Sequence, residues 1–172
     1  MNPASASFEQ AIEEAKTLFG SIDSGMSEEN ARKIIATLLQ TVPTARGLFV
    51  ALLTNEFKVS DCPPHFLLDE LRIASAVTFP LMAKNLVMSS ATKLVHQRNK
   101  DDANVRGSEQ VILRTAKMIS CINDSDLNQH LLEMQKALAG EQNQFSDFVK
   151  RMNYDEDQRS AASDALEKVL LK

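Results

Sequence analysis

The sequence predicts an all-α fold: a compact bundle-like or orthogonal array of eight or nine helices with two largely buried central helices. Three observations lead there. Apolar residues recur at helical spacing through most of the chain, and no segment alternates with a period of two. Glycine and proline are few, five of each in 172 residues, which suits long helices and short connections. The stretch from Ile73 to Val95 carries only two charges, Lys84 and Lys93, and places apolar or small residues on every face of the helix it would form. A helix that is apolar all round belongs inside a larger helical protein.

The first helix is expected from Ser7 to about Phe19. Ser7 and Gln10 form a capping box, Phe8, Ala11, Ile12, Ala15, Leu18 and Phe19 share one face, and Gly20 is the expected stop. The second begins at Ser27, with Glu28 and Glu29 where the helix dipole favours them, and carries Ala31, Ile34, Ile35, Leu38 and Leu39 inward. Pro43 closes it and opens a third helix running to about Asn55, apolar over most of its surface, with Arg46 as its sole charge.

Residues 56–63 are expected to form a loop. Pro63 and Pro64 open a fourth helix, capped by Asp61 or Cys62, that turns Phe66, Leu67, Leu68, Leu71 and Ile73 to the core and breaks near Ser75–Pro80. A fifth runs from about Phe79 to Gln97 and has the third as its expected packing partner. The polar segment Arg98–Gly107 reads as an exposed loop. Ser108 is the expected cap of a sixth helix carrying Val111, Ile112, Ala116, Ile119 and Ile122. Asp124 or Ser125 caps a seventh, ended by Gly140. An eighth carries Phe145, Phe148, Val149 and Met152. The last starts near Asp155–Asp157 and runs to the end through Ala162, Leu166 and Val169.

A chain of this length fits a single all-α domain over residues 1–172, and it can bury a sizeable core without disulfides or metals. Its two cysteines, and an N-terminus lacking a charged start followed by an apolar run, point to a reducing, cytoplasmic setting. Pro80, Lys84, Asn85 and the Ser89-Ser90-Thr92 group argue against a membrane span in the apolar stretch. Aromatic stacking on nucleic-acid bases has little material, with no Trp and one Tyr.

Charge is distributed unevenly. Residues 1–83 carry 6 Lys/Arg against 10 Asp/Glu, residues 84–117 carry 7 against 3, and residues 118–172 carry 6 against 10. The basic middle reads either as complementarity between packed helices or as a patch for an anionic partner.

Motifs that carry chemistry are scarce. No two of His65, His96 and His130 lie three or four residues apart, no ExxH occurs, and neither a phosphate-binding glycine loop nor a nucleophile elbow is present. No cofactor is expected. His96, following the buried stretch, is the best candidate for an axial ligand, against the plainer reading of a helix-end histidine. Cys62, at the expected start of the fourth helix with His65 close behind, is a candidate reactive thiol, because a helix N-terminus favours the thiolate. Cys121 reads as a small core residue. Arg46, Lys84 and Asn85 are polar residues on the two most apolar helices, and they form a candidate anion or ligand site if those helices pack together. The competing reading sends Lys84 to solvent along its aliphatic stem.

The run Lys84-Asn85-Leu86-Val87-Met88-Ser89, followed by His96-Gln97-Arg98-Asn99, resembles small uncharacterised helical proteins of cyanobacteria. The pairs Arg46-Gly47 and Leu53-Thr54 add to it. The resemblance spans residues 43–117 at most and implies no activity.

The functional expectation is a non-enzymatic, cytoplasmic protein that binds another protein or itself, as a regulator or adaptor, with neither nucleic acid nor membrane as partner. The alternative is a carrier or sensor of an apolar or tetrapyrrole-like small molecule between central helices, with Met82, Met88 and Met118 as adaptable lining. Redox sensing by Cys62 is a third reading.

Overall fold

The computed structural model describes residues 7–170, which form ten helices and no strand. The chain divides into two compact units, residues 1–81 and 82–172. The first holds α1 (Phe8–Asp23), α2 (Glu28–Leu38), α3 (Val42–Thr54), α4 (Lys58–Asp61), α5 (His65–Ile73) and the opening turns of α6 (Ser75–Arg98). The second holds the rest of α6, then α7 (Asp102–Ile122), α8 (Ser125–Leu138), α9 (Ser146–Met152) and α10 (Glu156–Leu170).

In the first unit α1 begins at the expected capping box. The Gln10 amide donates to the Ser7 hydroxyl at 3.2 Å, and the Ser7 amide donates to the Gln10 side chain at 2.8 Å. The helix runs through Gly20, which keeps an ordinary helical backbone, and the turn falls at Gly25 with φ +97°. Ala11, Ala15, Leu18 and Phe19 are buried beneath it. The helix α3 lies on α1 with Gly47 at the crossing. A Cβ there would stand 2.7 Å from the Ala11 Cβ and 3.0 Å from backbone atoms of Phe8 and Ile12, so only glycine lets the helices come this close.

Arg32 fastens α2 to α5. Its guanidinium reaches Glu70 and Glu28 at 2.9 Å and Asp69 at 3.1 Å. These bonds, Glu70 first, raise its pKa above the ordinary arginine value. The segment expected as a loop contains the one-turn helix α4. Its start is capped from far upstream: the Asp23 carboxylate accepts from the Lys58 amide at 2.7 Å and the Val59 amide at 3.1 Å.

The expected break near Ser75–Pro80 falls earlier, at Ala74, and α6 continues through Pro80. Thr78 accounts for the position. Its buried hydroxyl donates to the Leu71 carbonyl at 2.6 Å, so a carbonyl left over where α5 stops is bonded by a side chain, and it lies 3.2 Å from the Ala74 carbonyl, which also accepts from the Val77 and Thr78 amides. The apolar stretch buries Phe79, Leu81, Met82, Ala83, Leu86, Val87 and Ala91, while Met88 and Val95 meet solvent. Ile73, expected in the core, is 76% exposed at the end of α5.

In the second unit the polar segment 98–107 is mostly helix. Lys100 takes a left-handed conformation, φ 55°, and Asp101 caps the next helix by accepting from the Asn104 amide at 3.2 Å. Ser108 therefore lies inside α7 and is not its cap. Asp124 caps α8 as expected, and Asn123 and Asn153 end α7 and α9 in left-handed conformations. Arg98 ties α6 to the start of α10 through Asp155 and Asp157, and its hydrogen bond holds the Asp155 carboxyl below the ordinary aspartate range. Lys93 on α6 bridges to Glu109 on α7 at 2.7 Å. Leu131, Met134, Phe145 and Leu166 are buried in this unit.

Tyr154, between α9 and α10, is buried and its hydroxyl has no hydrogen-bond partner among the described residues. Burial pushes its pKa up to about 12 from 10.0. The neutral phenol is thus the form that the fold favours. Its contribution is fully present below pH 10 and is lost as pH rises toward 12. Tyr154→Phe is expected to raise stability by about 1 kcal/mol at neutral pH, since it removes a buried, unbonded hydroxyl. Its advantage should grow in urea titrations taken from pH 9 to pH 11. An unchanged or lowered midpoint would show that the hydroxyl has a partner.

Candidate functional site

Two concave surfaces stand out, one in each unit. In the second unit, α6, α7 and α10 enclose an open cleft of about 370 Å³. Leu86 and Leu94 come from α6, Ile112 and Ala116 from α7, and Ala161, Ala165 and Val169 from α10. The alanines keep the cleft hollow, because each stops at Cβ where a larger side chain would fill the space. Leu113 sits among the lining residues yet is 69% exposed. Charges on the lining are of both signs: Lys93, already bridged to Glu109, with Lys168 and Asp164 on α10.

In the first unit, α1 and α2 form an open trough of about 660 Å³. Leu18, Met26 and Ile34 supply its apolar floor, and the exposed carboxylates of Glu9, Glu13 and Glu14 stand along α1. No lysine or arginine is among the described residues that line it.

None of the sequence-derived candidates lines either surface. Arg46, in the first unit, is exposed, and its guanidinium lies over the Phe8 ring 5.2 Å from the centroid. Lys84, in the second unit, is half-buried, with its ammonium 5.9 Å from the Phe145 ring centroid and 5.7 Å from that of Phe148. A cation over aromatic faces is a stabilising arrangement in its own right. Asn85 is half-buried beside it. His96 is half-buried in the last turns of α6, and its carbonyl accepts from the Asp101 amide at 2.9 Å, at the junction with α7.

Cys62 requires a correction. It is not at a helix start. It is the C-cap residue of α4, while Pro64 is the N-cap of α5, which begins at His65. The end of a helix carries the negative pole, so the dipole argument for a thiolate no longer applies. Cys121 is exposed rather than in the core, because it lies on the outward side of α7. Among the described residues, no group of three His, Cys, Asp or Glu is placed to hold a metal ion. No described helix is long and apolar enough to cross a membrane.

The sequence left Leu113 off the inward stripe of α7, and a leucine off the stripe was the available signal for an exposed apolar position. The three alanines gave none, since a helical alanine serves equally well at a crossing or in a hollow.

The fold and its surfaces define an all-helical protein with two open apolar depressions. The chain belongs to a conserved family described as uncharacterised conserved protein UCP020893, which it matches over residues 7–169. No curated protein and no solved structure matches it.

Proposed function

We propose that this chain is a non-enzymatic, cytoplasmic interaction protein that associates with a second copy of itself through the α6–α7–α10 cleft. The single observation that supports this is Leu113, 69% exposed beside a hollow lined by alanines. A projecting side chain and a receiving hollow on one face suit a two-fold interface, in which each copy's leucine enters the other's cleft. The electrostatics are compatible. Residues 82–172 carry 13 Lys/Arg and 13 Asp/Glu, so two copies meet without net repulsion. Asp164 and Lys168, one turn apart on α10, offer opposite charges to the partner's equivalents.

Sedimentation velocity tests this reading. The mass should rise from 19.1 kDa toward twice that value as concentration reaches about 100 μM, and Leu113→Asp should remain monomeric throughout. A wild-type protein that stays monomeric over that range overturns the proposal.

A small apolar ligand is the second reading, favoured by the volume of the same cleft. About 370 Å³ lies at the small end of ligand sites, which run from about 300 to 1,000 Å³, and suits a short-chain or single-ring molecule better than a whole tetrapyrrole. Native mass spectrometry of protein from its own host separates the two: a bound small mass supports the ligand, and a doubled mass supports the dimer.

A further inference from the structure

We propose that the α1–α2 trough in the first unit docks a basic amphipathic helix of a partner protein. The trough is long. Its lining on α1 runs from Glu9 to Ser21, about 18 Å at the rise of an α-helix, which matches some three turns of a bound helix. Its floor suits one apolar face. Leu18 is fixed in the core, Ile34 is half-buried on α2, and the unbranched Met26 adapts to the side chains that enter.

The charge selects the occupant. Residues 1–81 carry 6 Lys/Arg against 10 Asp/Glu, whereas the second unit is balanced. Of the three carboxylates along the trough, Glu13 alone has a cation among the described residues, Lys16 at 2.7 Å. Glu9 and Glu14 are exposed, and neither is ion-paired to another described residue. Glu9 also occupies the first turn of α1, where the capping box at Ser7 and Gln10 fixes the backbone. A helix with leucines on one face and lysines or arginines on its flanks would cover the floor and meet the rim. An acidic helix would cover the same floor against repulsion.

The probe is a fluorescein-labelled three-turn peptide, with Leu on one face and Lys on the other, titrated with the full chain and followed by anisotropy. A matched Leu/Glu peptide serves as the comparison. Saturable binding of the basic peptide is expected, weakening with salt, with no binding of the acidic one. Glu9→Lys with Glu14→Lys should weaken binding about tenfold. Glu141→Lys with Asp147→Lys, the same charge change on exposed residues of the second unit, should alter it less than about twofold. If the double reversal unfolds α1 by circular dichroism, Glu13→Gln with Glu14→Gln replaces it, with about threefold weakening expected.

Equal weakening by the two lysine pairs would mean general attraction to an acidic protein and overturn the proposal. Equal binding of both peptides would mean apolar adhesion, and no saturation would mean no site. Either also overturns it.

Discussion

Gly47→Ala is expected to destabilise the protein by about 2–3 kcal/mol, even though alanine is the better helix former by about 1 kcal/mol. The new methyl would sit 2.7 Å from the Ala11 Cβ and 3.0 Å from both the Ile12 nitrogen and the Phe8 carbonyl oxygen. Two of those three atoms belong to backbone, so no rotamer change relieves the clash. The helix α3 has to back away from α1 and loosen the seam where Ala15, Leu18, Leu48 and Leu52 are buried. The measurement is a urea midpoint against wild type. Gly107→Ala is the natural counterpart, because that glycine also lies within a helix but has nothing within 4 Å of its Cβ position. It should stabilise by up to about 1 kcal/mol. Ala11→Gly in the Gly47→Ala background should recover only part of the loss, since the two backbone contacts remain. A neutral Gly47→Ala would show that α1 and α3 separate at little cost.

Thr78→Val is expected to cost about 2 kcal/mol, and Thr78→Ser less than about 1 kcal/mol. Valine keeps the shape and loses the hydroxyl. The site is fully buried, so the Leu71 carbonyl would lose its 2.6 Å bond in a place that water does not reach. Loss of an acceptor's partner in the interior costs more than the bond itself contributes. Serine retains the donor and gives up one methyl. The order wild type, Ser, Val in thermal midpoint is the expected result. Equal midpoints for Val and Ser would assign the residue's role to packing alone.

Thr78 marks one limit of what was legible from the sequence. Caps were legible where one short polar side chain bonds the next turn, as at Ser7, Ser27 and Asp124. The break at Ala74 was not, because proline was the visible breaker and the actual device is a threonine reaching back to Leu71. The polar run after Arg98 reads as a loop because an exposed first turn of a helix has a loop's composition, and the bonds from Asn104 and the Val105 amide to Asp101 distinguish them. Lys84 was visible as a polar departure in an apolar helix. Its aromatic surroundings were not, since Phe145 and Phe148 follow much later in the chain and nothing local announces the meeting. The cleft and the trough were hidden for a related reason: each is a hollow between helices, and sequence periodicity describes one helix at a time. The acidic bias of the early residues was legible, and it is what distinguishes the trough from the cleft.

The Asp23 cap has a consequence for how α4 comes to exist. A helix of four residues has too few internal bonds to offset the entropy of ordering its own backbone. The residue before it, Phe57, supplies no side-chain cap, and the two amides that begin it find their acceptor 35 and 36 residues upstream. The intervening chain must first be gathered into a closed loop, and α2 and α3 do this by folding it back. The fourth helix is therefore an outcome of tertiary assembly, a turn of structure that records the arrival of the end of α1.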